Sequence, residues 1–92
     1  MANSILQDEK VCFITGSTTN LHEHHIFFGS NRKVSEKYGF KVWLRADWHD
    51  MADYGVHFNK SLDLHLKQLC QKKFEETHSR EEFIALIGKN YL

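Results

Sequence analysis

The sequence predicts a small α+β domain, with a β-hairpin first and helices after it. Three observations carry this. The chain has 92 residues, enough for one domain and a modest core that buries roughly 60–65% of the unfolded surface. Up to residue 44 the apolar residues fall in short β-favouring runs, divided by turn residues. From Lys60 the apolar spacing changes to a period of 3.6.

Residues 1–10 are polar and are expected to form a flexible N-terminus, which leaves 11–92 as the single domain. Val11-Cys12-Phe13-Ile14-Thr15 reads as a short strand, stopped by Gly16-Ser17-Thr18-Thr19-Asn20. Residues 21–28 include Ile26, Phe27 and Phe28 and read as the first hairpin strand, closed by Gly29-Ser30-Asn31. Residues 32–39 read as a polar loop or a short helical turn. Phe40-Lys41-Val42-Trp43-Leu44 alternates bulky residues, as a partner strand would. Residues 47–54 are polar, with Trp48 and Met51 as anchors, and Gly55 breaks them. Leu62, Leu66, Leu69, Cys70 and Phe74 then form one face of a long helix, supported by Asp63–Lys67 and Lys72–Glu76 pairs. Ser79-Arg80-Glu81-Glu82 is a capping box for a final short helix. Its apolar face is Phe83, Leu86 and Ile87, and Gly88 ends it.

Composition excludes several classes. Lys plus Arg number 12 and Asp plus Glu 12, so a uniformly basic nucleic-acid coat protein is excluded. Apolar residues at 41% and charged residues at 26% exclude a disordered chain. No apolar run approaches the ~18 residues of a membrane span. The N-terminus lacks the basic-then-apolar layout of a secretory signal, so a cytoplasmic location is expected. Two distant cysteines, Cys12 and Cys70, make no disulfide framework and fit a reducing compartment. Proline is absent and histidine is abundant, with seven residues, four of them (His22, His24, His25 and His49) between positions 22 and 49.

His24 and His25 are adjacent on the first hairpin strand, so a regular pleat points them to opposite faces. One can then serve a metal and the other the substrate. Metal nucleases need that division. A divalent cation binds the scissile phosphate, and a neutral imidazole takes a proton from the attacking water. His49 and His57, after the second strand and just before the long helix, are available to complete a metal site. The plainer alternative is a half-buried histidine pair satisfied by backbone carbonyls, with His49 and His57 on the surface and Glu23 facing solvent.

These residues resemble a known family. Leu21-His22-Glu23-His24-His25-Ile26, followed after a gap by Val42-Trp43-Leu44 and His49, resembles the HNH endonucleases, the ββα-metal family. The likeness extends over His24-His25-Ile26-Phe27-Phe28-Gly29, Asn31-Arg32-Lys33, Ser35-Glu36-Lys37-Tyr38-Gly39, Gly55-Val56-His57-Phe58-Asn59 and Gly88-Lys89-Asn90-Tyr91-Leu92. In this it is similar to the short HNH nucleases encoded in phages and prophages of Gram-positive bacteria. The resemblance implies a ββα-metal core and cleavage of DNA phosphodiester bonds with Mg²⁺ or Mn²⁺, in phage DNA processing or recombination in a bacterial host. It implies that His24 and His49 hold the metal with His57 as a further ligand, that His25 is the general base, and that an asparagine, Asn31 or Asn59, steadies the base.

The sequence departs from that pattern at the separate structural zinc many HNH proteins carry. Cys12 fits the first ligand position, but Thr15, Arg45 and Trp48 stand where the other three belong. One thiolate makes no tetrahedral site. No structural zinc is expected, and Cys12 is read as a small hydrophobe. Arg32, Lys33, Lys37, Lys41 and Arg45 stand against one acid, Glu36, between residues 31 and 45, which suits a phosphate backbone. Asp47, Asp50 and Asp53 are either partners that orient His49 and His57 or solvated acids. His65 and His78 are expected to be exposed. A second function class remains beside the nuclease: a catalytically inactive HNH relative that binds nucleic acid or protein, such as a phage factor directed at a host nuclease.

Overall fold

The computed structural model describes residues 3–92. Its centre is an antiparallel hairpin of β1 (Leu21–His25) and β2 (Lys41–Arg45). Directly paired residues share a face, so the register sets the faces. His22 opposite Leu44 and His24 opposite Val42 point one way, and Glu23 opposite Trp43 and His25 opposite Lys41 point the other. Val42 and Leu44 are core residues, so the first face is the inner one.

The strand expected over 21–28 stops at His25. Only one more ladder bond follows, Ile26 N to Phe40 O at 2.8 Å. After it, Ile26 and Phe27 both turn into the core, which a regular pleat forbids. Buried Ser35 replaces the lost partner: its hydroxyl accepts from Phe27 N (3.1 Å) and donates to Phe27 O. Ser35 lies on α1 (Arg32–Tyr38), where a loop or short helical turn was expected. Gly39 ends α1 at φ +76°, and a Cβ there would lie 2.0 Å from Asn3 O. Both the left-handed backbone and the close approach require glycine.

After β2 come a π-helical turn, Asp47–Met51, and a 3₁₀ turn, Val56–Phe58. Next are α2 (Lys60–Phe74) and α3 (Arg80–Ile87). Asn59 caps α2 by accepting from Leu62 N at 3.1 Å. The capping box of Ser79 and Glu82 is present at α3, and Gly88 ends it at φ +91°. Leu66, Cys70, Phe74, Phe83 and Ile87 close the core over Ile26, Phe27, Phe40, Val42, Leu44 and Val56. Phe27, Phe40, Phe74 and Phe83 meet mostly edge-on or tilted, with ring centroids 5.5–6.2 Å apart, a favourable arrangement for aromatic quadrupoles. The Asp63–Lys67 pair forms at 2.7 Å, whereas Glu76 pairs with Lys73, not Lys72.

Two expectations change at the N-terminal side. Residues 11–15 form a turn, not a strand: Gly16 N donates to Cys12 O and Cys12 N to Ser17 O, both at 2.8 Å. Cys12 is buried, and its Sγ accepts from Thr15 N at 3.4 Å, so it is more than a space-filling hydrophobe. Burial raises its pKa, but hydrogen bonds from Thr15, Arg45 and Ile14 together bring it below the ordinary thiol value. Within the segment 1–10, expected to be flexible, residues 1–2 lie outside the described residues. Ile5 N donates to Gly39 O at 3.0 Å, and Trp43 N donates to Gln7 Oε1 at 2.7 Å, so residues 5 and 7 are docked on the hairpin. Among the described residues, no helix is long and apolar enough to cross a membrane.

Candidate metal centre

Three elements bring their histidines together. His24 comes from the inner face of β1, His49 from the π-helical turn, and His57 from the 3₁₀ turn that leads into α2. One ring nitrogen from each lies within 4.8 Å of the others. The ring centroids are 5.3 Å (His24–His49), 5.2 Å (His24–His57) and 4.7 Å (His49–His57) apart, and His49 Nε2 is 3.0 Å from His57 Nε2. The hairpin supplies the first ring and the chain's return toward α2 supplies the other two.

His24 is buried, His49 half-buried and His57 exposed, so the group opens to solvent on one side. His24 is 2% exposed, and among the described residues its Nε2 has no hydrogen-bond partner. A buried polar atom of this kind costs about 1–3 kcal/mol when left bare, and an ion on Nε2 would satisfy it. Burial first, then neighbouring His49 and His57, push the His24 pKa down to about 3. Burial and then His57 also lower that of His49, although Asp50 opposes them. Both rings are therefore neutral near pH 7, the state a ligand needs. Exposed Phe28 stands at the rim, 5.6 Å from the His57 ring, with Lys67 Nζ 4.8 Å from its own centroid.

His25 lies across the strand from this group, on the outer face of β1. Its Nε2 is 2.7 Å from Glu36 Oε2 and 3.9 Å from Glu23 Oε1, and Lys41 Nζ lies 3.3 Å from both carboxylates. A positive charge on His25 would still be felt at His24 and His49, since it lowers the pKa of both. Neither asparagine reaches His25. Asn59 caps α2, and Asn31 Nδ2 donates to Ile87 O at 3.0 Å. Glu36 holds the ring instead.

The expected basic surface is smaller than its sequence. Arg32, Lys33 and Lys37 are exposed on α1. Lys41 is 4% exposed and neutralised by Glu23 and Glu36. Arg45 is bound through two nitrogens to Asp47, at 2.6 and 2.8 Å, which raises its pKa further. Of the three acids near the centre, Asp50 lies 3.8 Å from both His22 Nδ1 and His49 Nδ1, while Asp47 is taken up by Arg45 and the Tyr54 hydroxyl. His65 and His78 are exposed, the latter stacked on Phe74 at 4.1 Å.

Two residues, one beside the centre and one beside His25, go beyond the site residues that the sequence assigns. His22 sits two positions before His24 and so shares its face; that spacing was the available signal. Glu36 lies 11 residues from His25 on a separate element, and nothing local marks their contact. Comparison with protein-family models, curated proteins and solved structures yields no match.

Proposed function

We propose that the protein is a metal-dependent endonuclease of the HNH type that hydrolyses DNA phosphodiester bonds on a ββα-metal core. The supporting observation is the convergence of His24, His49 and His57, from strand, turn and helix approach, around a buried Nε2 with no hydrogen-bond partner among the described residues. His24, His49 and His57 would hold a divalent ion, which would supply Lewis-acid stabilisation of charge on a scissile phosphate. The all-imidazole donor set suits a later transition ion such as Co²⁺ or Zn²⁺ better than Mg²⁺ or Mn²⁺, for which oxygen ligands are the better match.

His25 is the proposed base. A Glu36 carboxylate accepts the Nε2 proton of the neutral ring, so the bare nitrogen is Nδ1, the one able to take a proton from water. Exposed Arg32, Lys33 and Lys37 would position the phosphate backbone. With three such contacts, log K for duplex DNA should fall against log[salt] with a slope of roughly −2.7.

The test is nicking of supercoiled plasmid by purified protein with Mn²⁺, beside a metal-binding titration. His25→Ala should reduce the rate about 10²–10⁴-fold and leave metal affinity intact. His24→Ala should weaken both. The position of His25 across the strand from His24, tied to Glu36 and Lys41, favours one second reading: an inactive relative that binds nucleic acid or protein. Folded, metal-loaded protein that leaves plasmid untouched across metals and pH would select that reading.

A further inference from the structure

We infer that His22 is a positioning residue for the metal centre, accepting a hydrogen bond from His49 Nδ1 and so fixing the tautomer that offers His49 Nε2 to the ion. This rests on the reading of His24, His49 and His57 as ligands.

His22 and His24 are two residues apart on β1 and share its inner face. His22 Nδ1 lies 3.0 Å from His49 Nδ1, with the rings edge to face, centroids 5.2 Å apart and planes at 89°. His49 thus faces two partners through opposite nitrogens: Nδ1 toward His22 and Nε2 toward His57. A neutral imidazole carries one proton, and a ligating nitrogen must be bare. If His49 Nε2 ligates beside His57, the proton sits on Nδ1. There it meets His22 Nδ1 at hydrogen-bond distance, so His22 Nδ1 is bare and its own proton is on Nε2. Proton counting leaves no other arrangement of neutral rings in which His49 Nε2 is a ligand and the His22 contact is a hydrogen bond. Metal-bound histidines generally donate their second N–H to an acceptor, and losing it costs about 10–100-fold in metal affinity. A carboxylate usually fills that role, but Asp50 is 3.8 Å from His49 Nδ1, beyond hydrogen-bond reach.

Two rival uses of neighbouring side chains are weaker. His22, His49 and Asp50 could themselves surround a second cation. His49 would then have to lose both ring protons and bridge two ions as an imidazolate. Glu23, His25 and Glu36 form a further candidate group, but Lys41 Nζ already supplies its positive charge at 3.3 Å.

The experiment is a titration of chelator-stripped full-length protein with Co²⁺, followed by calorimetry and by the visible absorption of the bound ion. Wild type should bind one ion. His22→Ala should bind one ion about 10–100-fold more weakly. His22→Asn places a carbonyl oxygen near the position of Nδ1 and should recover most of the affinity. The His22 side chain is 41% exposed, so melting in EDTA should match across all three proteins, which separates loss of the centre from loss of the fold. A His22→Leu variant serves the same comparison should the alanine protein melt low. Equal affinity in wild type and both variants overturns the inference and leaves the centre standing. Two ions in wild type, falling to one in His22→Ala, overturn it in favour of the second cation site. No ion on wild type overturns the reading of the centre itself, and the inference with it.

Discussion

His24 is held neutral by its surroundings, and that has a consequence for stability. Unfolded, it takes a proton near its ordinary value of 6.5; folded, only near 3. Between those values the unfolded chain binds the extra proton. Stability is therefore fully present above about pH 6.5 and lost as pH falls toward 3, by up to about 5 kcal/mol for this group. In EDTA, the urea midpoint of the wild type should drop steeply from pH 7 to pH 4. His24→Leu should flatten that drop, since leucine neither titrates nor leaves a bare nitrogen in the core. Equal slopes in the two proteins would show that His24 is not the group responsible. The His24-His25 doublet was legible in the sequence, but which ring is buried was not. Leu21-His22-Glu23-His24-His25 has no apolar alternation to mark its inner face. That choice is made across the sheet, where His24 lies opposite Val42 and His22 opposite Leu44.

At the scale of elements, the hairpin, the long helix and the capped final helix follow from local pattern and were legible. The stretch between β2 and α2 was not. Residues 47–54 read only as polar, yet they contain the π-helical turn that carries His49, a geometry frequent at functional sites. Gly55 is more than a break there. Its φ is −64°, open to any residue, but a Cβ would lie 2.9 Å from both Asp47 O and His49 O and 3.1 Å from Ala52 O. Those are backbone atoms, so the whole turn must give. Gly55→Ala should therefore lower both the melting temperature and the metal affinity, by moving His49. Gly16→Ala is the matched control. Its Cβ meets nothing within 4 Å and only the φ of +77° resists it, so it should cost stability on the order of 1 kcal/mol and leave metal affinity unchanged. Melting and Co²⁺ titration on both variants check this; an unchanged affinity in Gly55→Ala would mean that His49 is not positioned by that turn.

For the molecule as a whole, the question is what holds the N-terminal turn against the hairpin at the place where many HNH proteins carry zinc and this sequence lacks the ligands. Cys12 is in place, but around it the work is done by hydrogen bonds. Phe13 N donates to Trp43 O at 2.8 Å, Lys10 lies over the Trp43 ring at 4.5 Å, and Arg45, Asp47 and Tyr54 form a polar clamp beyond β2. Arg45 first, then Tyr54, hold the Asp47 carboxyl well below the usual carboxylate range. Aromatic packing of Phe27, Phe40, Phe74 and Phe83 supplies the rest, tied to the C-terminal segment through buried Gln71, whose amide bonds Asn90 and Tyr91. The absence of zinc ligands was legible at Thr15, Arg45 and Trp48; the clamp was not, because Tyr54 joins Arg45 and Asp47 only through the fold of the intervening turn. None of these contacts uses a metal, so the protein should stay folded in EDTA with a cooperative melt. An ion that binds only the folded centre at 100 times its Kd adds about 2.7 kcal/mol, which for a domain of this size raises Tm by roughly 10–20 °C. Differential scanning calorimetry with EDTA and then with excess Mn²⁺ or Zn²⁺ measures both states. His24→Ala should abolish most of the metal-dependent rise, whereas Asp47→Asn should lower Tm equally with and without metal. Unfolding in EDTA alone would assign the ion to the fold rather than to chemistry, and His24, His49 and His57 would then be structural ligands.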